Sequence, residues 1–167
     1  ISACLVGSEM CIRDRDLTDP LKKTNIYLWR GDITRLKVDS IVNAANSALL
    51  GCFVPGHACI DNAIHTFSGI QLRLECNEIM ETQGFPEPTG SAKITKAYNL
   101  PSRYVIHTVG PIIQTEVTSN HCELLRSSYS SSLKLADEWG IKQIAFCCIS
   151  TGAFSFPNRL ATEIAVK

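Results

Sequence analysis

Gln143–Phe156 reads QIAFCCISTGAFSF, and its reading sets the fold class. Gln143–Ile149 is a nearly continuous apolar run of strand length, the pattern of a strand covered on both faces. Ser150–Phe156 then concentrates hydroxyls around one glycine, and Pro157 stands where it opens a helix running through Lys167. Strand, polar loop and helix in that order form one unit of an α/β fold, whose ligand sites lie outside the carboxyl ends of the strands.

Upstream of this unit, Cys122–Trp139 reads as a helix closed by Gly140 in the C-cap region. Further strands are predicted at Asn25–Arg30, ended by Gly31–Asp32, at Asp39–Asn43, at Ala92–Ala97 and at Tyr104–Thr108. The last two are joined by the turn-prone Asn99–Ser102. Gly51–Ala58 is a loop, and one long helix starts near Cys59 or Ile60, with Ile60, Ile64, Phe67 and Leu74 on one stripe and Gly84–Phe85–Pro86 as its stop. Strands alternating with helices imply a sheet with helices on both faces.

The 167 residues suit a single core. Sixteen Lys+Arg offset sixteen Asp+Glu, and no basic run exceeds Lys22–Lys23, so no overall field draws nucleic acid. The apolar stretches fall far short of the ~20 residues a membrane span needs. Of the eight cysteines, Cys147 and Cys148 lie in a strand and Cys76 in a helix, which argues for a reduced, cytoplasmic setting over a disulfide scaffold. Ile1–Asp16 lacks the basic and apolar regions of a signal peptide, and its Ser8–Arg15, SEMCIRDR, resembles translated sequencing-adaptor sequence. Residues 1–24 are accordingly expected to stand outside the domain, with 1–16 artefactual.

The polar motifs follow strands: Asp32 the first, Asn43–Asn46 the second, Ser150–Phe156 the last. In a largely parallel sheet all three share one rim. Ser150, Thr151, Gly152, Ala153 and Phe154 offer hydroxyls, backbone N–H groups and an aromatic lid ahead of a helix N-terminus, which suits a diphosphate. Taken singly, each has a plainer reading: an ordinary loop, a turn-forming Asp32, a strand-end cap at Asn46. Between Gly51 and Asn62 the chain reads GCFVPGHACIDN, and Cys52, His57 and Cys59 present two thiols and an imidazole on a Pro- and Gly-rich turn. That set suits Zn²⁺ with a fourth position open, or is a thiol loop with an incidental histidine. Asp61, in the first turn of the long helix, reads as a dipole-favoured acid or as a group that activates water. His107 reads as a buried, hydrogen-bonded histidine, Trp29 and Trp139 as packing residues, and His65 and His121 have no evident partner.

Gly31–Thr34 (GDIT), Asn43–Asn46 (NAAN), Val105–Pro111 (VIHTVGP) and Ile149–Phe154 (ISTGAF) together resemble the successive signatures of macrodomains, over residues 25–167. The Gly51–Asn62 loop resembles that of the zinc-containing branch. The resemblance implies a three-layer α/β/α domain with a mixed, largely parallel sheet. It implies ADP-ribose as ligand: Asp32 on the adenine amino group, Ile33 a backbone contact beside it, Asn46 on the distal ribose, and Ser150–Phe154 around the diphosphate. It further implies one zinc on Cys52, His57 and Cys59, with Asn46 and Asp61 as catalytic residues of a zinc-dependent hydrolase. The substrate would be a mono-ADP-ribosylated protein, joined through an aspartate or glutamate ester. A non-catalytic ADP-ribose reader and an O-acyl-ADP-ribose deacylase share the same pocket. Two departures stand out: Ser155 sits where the family often has glycine, and a complete macrodomain resembles this chain plus another strand and helix, so 25–167 is expected to be incomplete at its C-terminal end.

Overall fold

The computed structural model of the chain describes residues 2–7 and 26–166. Its strands are β1 (Ser2–Gly7), β2 (Ile26–Arg30), β3 (Ser40–Ala45), β4 (Ala92–Lys96), β5 (Tyr104–Val109) and β6 (Gln143–Cys147). The helices are α1 (Ile60–Ser68), α2 (Ile70–Gln83), α3 (Ser119–Glu138) and α4 (Asn158–Ala165), with a 3₁₀ turn at Ile33–Arg35.

The strands form one six-stranded sheet in the order β2-β1-β6-β3-β5-β4. β3 runs parallel to β5 and β6, β4 runs antiparallel to β5, and β1 runs antiparallel to both β2 and β6. Two antiparallel steps return β2 to the direction of β6, so β2, β6, β3 and β5 all end at one rim. The sheet is mixed, as expected, with two parallel and three antiparallel pairings and four of its six strands sharing one direction. The central strands are buried on both faces, with Ile41, Val42, Val105, Ile106, Ala145 and Phe146 in the core, which is why they read as continuous apolar runs.

Ser2–Gly7, within the residues 1–24 that are expected to stand outside the domain, pairs as β1 with both β2 and β6. Without a strand there, the facing backbone groups of β2 and β6 would lack a ladder, and SACLVG is a short stretch that tolerates extended geometry. The rest of that expectation, residue 1 and residues 8–24, lies outside the described residues.

The long helix divides in two. Gly69 has φ +93° and ψ 178°, a conformation for glycine, and it is both the C-cap of α1 and the N-cap of α2. The break lets Ser68 Oγ donate to Ala97 O at 2.6 Å and Ser68 O accept from Asn99 N at 3.3 Å, tying α1 to the β4–β5 turn. The helical phase shifts across it. Ile64 is buried as expected, but Phe67 and Leu74 are more than half exposed, and Leu72 and Cys76 face the core instead.

α3 starts at Ser119, ahead of the expected Cys122. Thr118 and His121 form a reciprocal cap: the His121 N–H donates to Thr118 Oγ1 at 3.3 Å and the Thr118 N–H to His121 Nδ1 at 3.2 Å. Gly140 follows the helix at φ +64°. Trp139 is half exposed and sets its ring edge-on to Tyr104. No helix among the described residues is long and apolar enough to cross a membrane.

Gly69→Ala places a Cβ 2.8 Å from Asn99 Nδ2 in a backbone region that only glycine occupies readily. The substitution is expected to lower unfolding free energy by about 1–3 kcal/mol in a denaturant titration, whereas alanine at an ordinary interior helical glycine would raise it.

Candidate functional site

At the common rim, Asp32 leaves β2, Asn46 leaves β3 and Ser150–Phe156 follows β6. Asp32 is exposed and caps the 3₁₀ turn, its Oδ1 accepting from Thr34 N at 3.0 Å and Thr34 Oγ1 at 2.6 Å. Ile33 beside it is fully buried, leaving its backbone as the part that can meet a ligand.

The Ser150–Phe156 loop is held by its own backbone. Phe156 N donates to Ser150 O at 3.0 Å, Ser155 N to Gly152 O at 3.0 Å, and Ile113 N to Phe154 O at 2.9 Å. Phe156 is the buried anchor, Phe154 is half-buried, and Gly152 and Ala153 are exposed at the tip. Thr151 Oγ1 donates to Cys148 O at 2.9 Å. Ser150 (φ +64°) and Ser155 (φ +57°) both occupy left-handed backbone. The Ser155 departure noted above thus falls on a position where glycine would be unstrained. Ser150 Oγ is buried without a hydrogen-bond partner among the described residues, and Gly110 lies so close to it that a Cβ there would strike the hydroxyl. Gly110, the first residue beyond β5, therefore lies directly against the start of the loop.

Between these loops stands Asp61, only 5% exposed. Asn43 Nδ2 donates to its Oδ1 at 2.8 Å and Asn46 Nδ2 to its Oδ2 at 3.3 Å. Asn46 also donates to Gly51 O at 3.0 Å and accepts from Ala48 N at 3.0 Å, which locks its side chain across the turn. Burial raises the Asp61 pKa, opposed by the Asn43 hydrogen bond and the Arg73 charge. Asn43 stands within the NAAN motif with no role evident from the sequence; the 18-residue separation from Asp61 hides the pair in one dimension.

Cys52, His57 and Cys59 converge as that reading expected, with their ligand atoms within 4.8 Å of one another. Cys52 Sγ lies 3.3 Å from His57 Nδ1. Zinc bonds of about 2.0–2.3 Å at tetrahedral angles put neighbouring donors roughly 3.3–3.8 Å apart, the range in which the Cys52–His57 pair falls. Cys59 caps α1, its Sγ accepting from Asn62 N at 3.4 Å, and burial raises its thiol pKa. Asp61 thus sits two residues from one candidate ligand, joining the thiol cluster to the asparagine pair.

His65 does not join that cluster. It is buried under Gly51, whose φ of +84° and bare Cα leave room for the ring; a Cβ there would come within 2.8 Å of it. His65 Nε2 lies 3.6 Å from Asp61 Oδ1. His65, Cys76 and His107 form a second group with ligand atoms within 4.8 Å. Its His107 Nε2 is engaged with Thr95 Oγ1 at 2.9 Å, and burial pushes the Cys76 thiol up to about 12. This second group reads as polar core. His107 is fully buried and hydrogen-bonded, as expected.

A mixed sheet flanked by helices, with the Ser150–Phe156 loop, an asparagine-held carboxylate and a thiol cluster on its strand-end rim, defines a three-layer α/β/α domain. Residues 42–165 match the Macro domain, and the chain belongs to that family. It is 65% identical over 140 residues to a protein from Treponema medium named protein-ADP-ribose hydrolase, covering 84% of this chain and 54% of that protein. A Staphylococcus aureus protein of the same name is 56% identical over 155 residues, 91% of this chain and 58% of that one. The chain thus spans little more than half the length of these relatives. Among solved structures, an Oceanobacillus iheyensis macrodomain with MES bound superposes with a TM-score of 0.73 at 39% identity, covering 81% of this chain and 70% of that one. A Trypanosoma brucei macrodomain in complex with ADP-ribose does so with a TM-score of 0.65 at 40% identity, over 83% of this chain and 53% of that one.

Burial lowers the His107 pKa to about 3 and the His65 pKa to about 4, from 6.5. Both imidazoles stay neutral in the fold while the unfolded chain takes up protons below pH 6.5. Their contribution is therefore present above pH 6.5 and lost as pH falls toward about 4. Unfolding free energy measured between those values is expected to drop by on the order of 1 kcal/mol per pH unit for each imidazole; a flat profile would contradict neutral burial.

Proposed function

We propose that this chain carries the ligand site of a protein-ADP-ribose hydrolase, zinc-dependent, that releases mono-ADP-ribose from an aspartate or glutamate ester. The observation that carries the reading is the Asp61 carboxylate, held by Asn43 and Asn46 at the rim shared with the Ser150–Phe156 loop. Support for the reaction class comes from the relatives named protein-ADP-ribose hydrolase, and support for the ligand from the macrodomain solved with ADP-ribose.

In this reading Asp32 and the Ile33 backbone take the adenine end, and Ser150, Thr151, Gly152, Ala153 and Phe154 enclose the diphosphate. Exposed N–H groups at a loop tip ahead of a helix suit an anion. Asn46 orients the distal ribose. Asp61 accepts a proton from water as the water oxygen bonds C1″ and the bond from C1″ to the carboxylate oxygen breaks, leaving ADP-ribose and a free side-chain carboxylate. A carboxylate with a raised pKa is a stronger base than an exposed one and suits that task. Cys52, His57 and Cys59 would hold the zinc, which when bound supplies Lewis acidity to a ribose hydroxyl or to the water. Binding without hydrolysis would need neither the thiol cluster nor a buried carboxylate beside it.

The test is zinc content together with ADP-ribose release from an aspartyl-ADP-ribosylated protein, for this chain and for Cys59→Ala. Near-stoichiometric zinc is expected, lost in the variant along with about 10²-fold in release rate. Tight ADP-ribose binding with neither zinc nor release would instead make the protein a reader.

A further inference from the structure

Asp61 is the end of a hydrogen-bonded chain that crosses the sheet. Thr95 on β4, His107 on β5 and Asn43 on β3 are all buried, at 2%, 0% and 0% exposure. His107 lies opposite Asn43 in the parallel β3–β5 register. Thr95 Oγ1 is 2.9 Å from His107 Nε2, His107 Nδ1 is 3.1 Å from Asn43 Nδ2, and Asn43 Nδ2 is 2.8 Å from Asp61 Oδ1. Thr95 Oγ1 reaches Val105 O at 3.5 Å.

Cys76 Sγ also lies 3.8 Å from His107 Nε2, and the polarity of the shorter contacts selects the arrangement. An amide nitrogen only donates, so one Asn43 proton goes to Asp61 and the other to His107 Nδ1, which must present its lone pair. A neutral imidazole with Nδ1 bare carries its proton on Nε2 and donates it to Thr95 Oγ1. The Thr95 hydroxyl proton then turns to the Val105 carbonyl. Flipping the Asn43 amide would set its oxygen against the Asp61 carboxylate. Burial keeps His107 neutral well below physiological pH, so the arrangement persists there.

We propose that His107 and Thr95 are positioning residues for the reaction: through Asn43 they fix where the Asp61 carboxylate points and which of its oxygens remains available. The proposal rests on the reading of Asp61 as the group that activates water. With Oδ1 engaged by Asn43, Oδ2 is the oxygen turned toward Asn46 and the rim. His107 touches neither ligand nor water in this scheme. Its effect passes through two hydrogen bonds, so it belongs to kcat and not to ADP-ribose affinity.

Three variants of the full chain test this: His107→Phe, which keeps a ring without an acceptor, His107→Asn, whose amide oxygen falls near the Nδ1 position, and Thr95→Val. His107→Phe is expected to lower kcat on the order of tenfold or more while the ADP-ribose Kd stays within about twofold, and His107→Asn to recover most of the loss. Long-range ¹H–¹⁵N spectra of the imidazoles should show His107 protonated at Nε2 and bare at Nδ1 at neutral pH, and Thr95→Val should mix the two tautomers. An unchanged kcat in His107→Phe, a His107→Asn as slow as His107→Phe, or a proton on Nδ1 of the unsubstituted chain would overturn the proposal. Should His107→Phe not fold, Thr95→Val carries the test through its tautomer and a kcat loss at unchanged Kd. Asp61→Asn separates the two levels. If it retains full hydrolysis, the reading of Asp61 fails and the proposal with it; if it is inactive while His107→Phe is not, the positioning chain alone fails.

Discussion

A carboxylate removed from water is costly unless donors replace its hydration, and at Asp61 the donors are the side-chain amides of Asn43 and Asn46. Both lie at the end of β3, so the carboxylate can only be satisfied where that strand emerges between β5 and β6. Everything else at the rim is arranged about this constraint. α1 must begin at Ile60 for Asp61 to face β3, Cys59 must then be its cap, and Gly51 must lack a Cβ for His65 to fill the space beneath. The thiol cluster and the carboxylate are adjacent because one helix start fixes both.

The parallel run of β2, β6, β3 and β5 supplies the second condition. Loops from separated parts of the sequence meet at one edge only when their strands point the same way. Asp32, Asn46 and Ser150 are spread over most of the chain, yet each is the first or nearly the first residue beyond a strand with the same direction. The Ser150–Phe156 loop also stores backbone strain, with Ser150 and Ser155 both at positive φ. Such strain costs of order 1 kcal/mol or more per residue and persists only where surrounding contacts hold it; here Phe156, Gly110 and Ile113 provide them.

Much of this was legible in the sequence because the core strands are buried on both faces and so read as apolar runs in one dimension. The thiol cluster was legible because Cys52, His57 and Cys59 fall within one turn. What escaped was tertiary. A glycine in a helical pattern is usually tolerated, so nothing local marked Gly69 as a break, and the apolar stripe assigned to Phe67 and Leu74 fails beyond it. The cap of α3 uses His121 where the familiar signature has Glu or Gln. Asn43 read as a strand-end residue, and its link to His107 and Asp61 exists only once β3, β5 and α1 are packed. The pairing of Ser2–Gly7 between β2 and β6 likewise depends on a slot that no local pattern announces.

The central claim is that the ligand sits on the strand-end rim. It is tested most directly by titrating ADP-ribose into ¹⁵N-labelled protein and following backbone amide shifts. Saturable changes are expected, concentrated at Asp32, Ile33, Asn46 and Ser150–Phe154. Changes confined to the groove lined by Glu75, Glu78, Thr82, Phe85 and Lys93, which shares no residue with the rim, would contradict it.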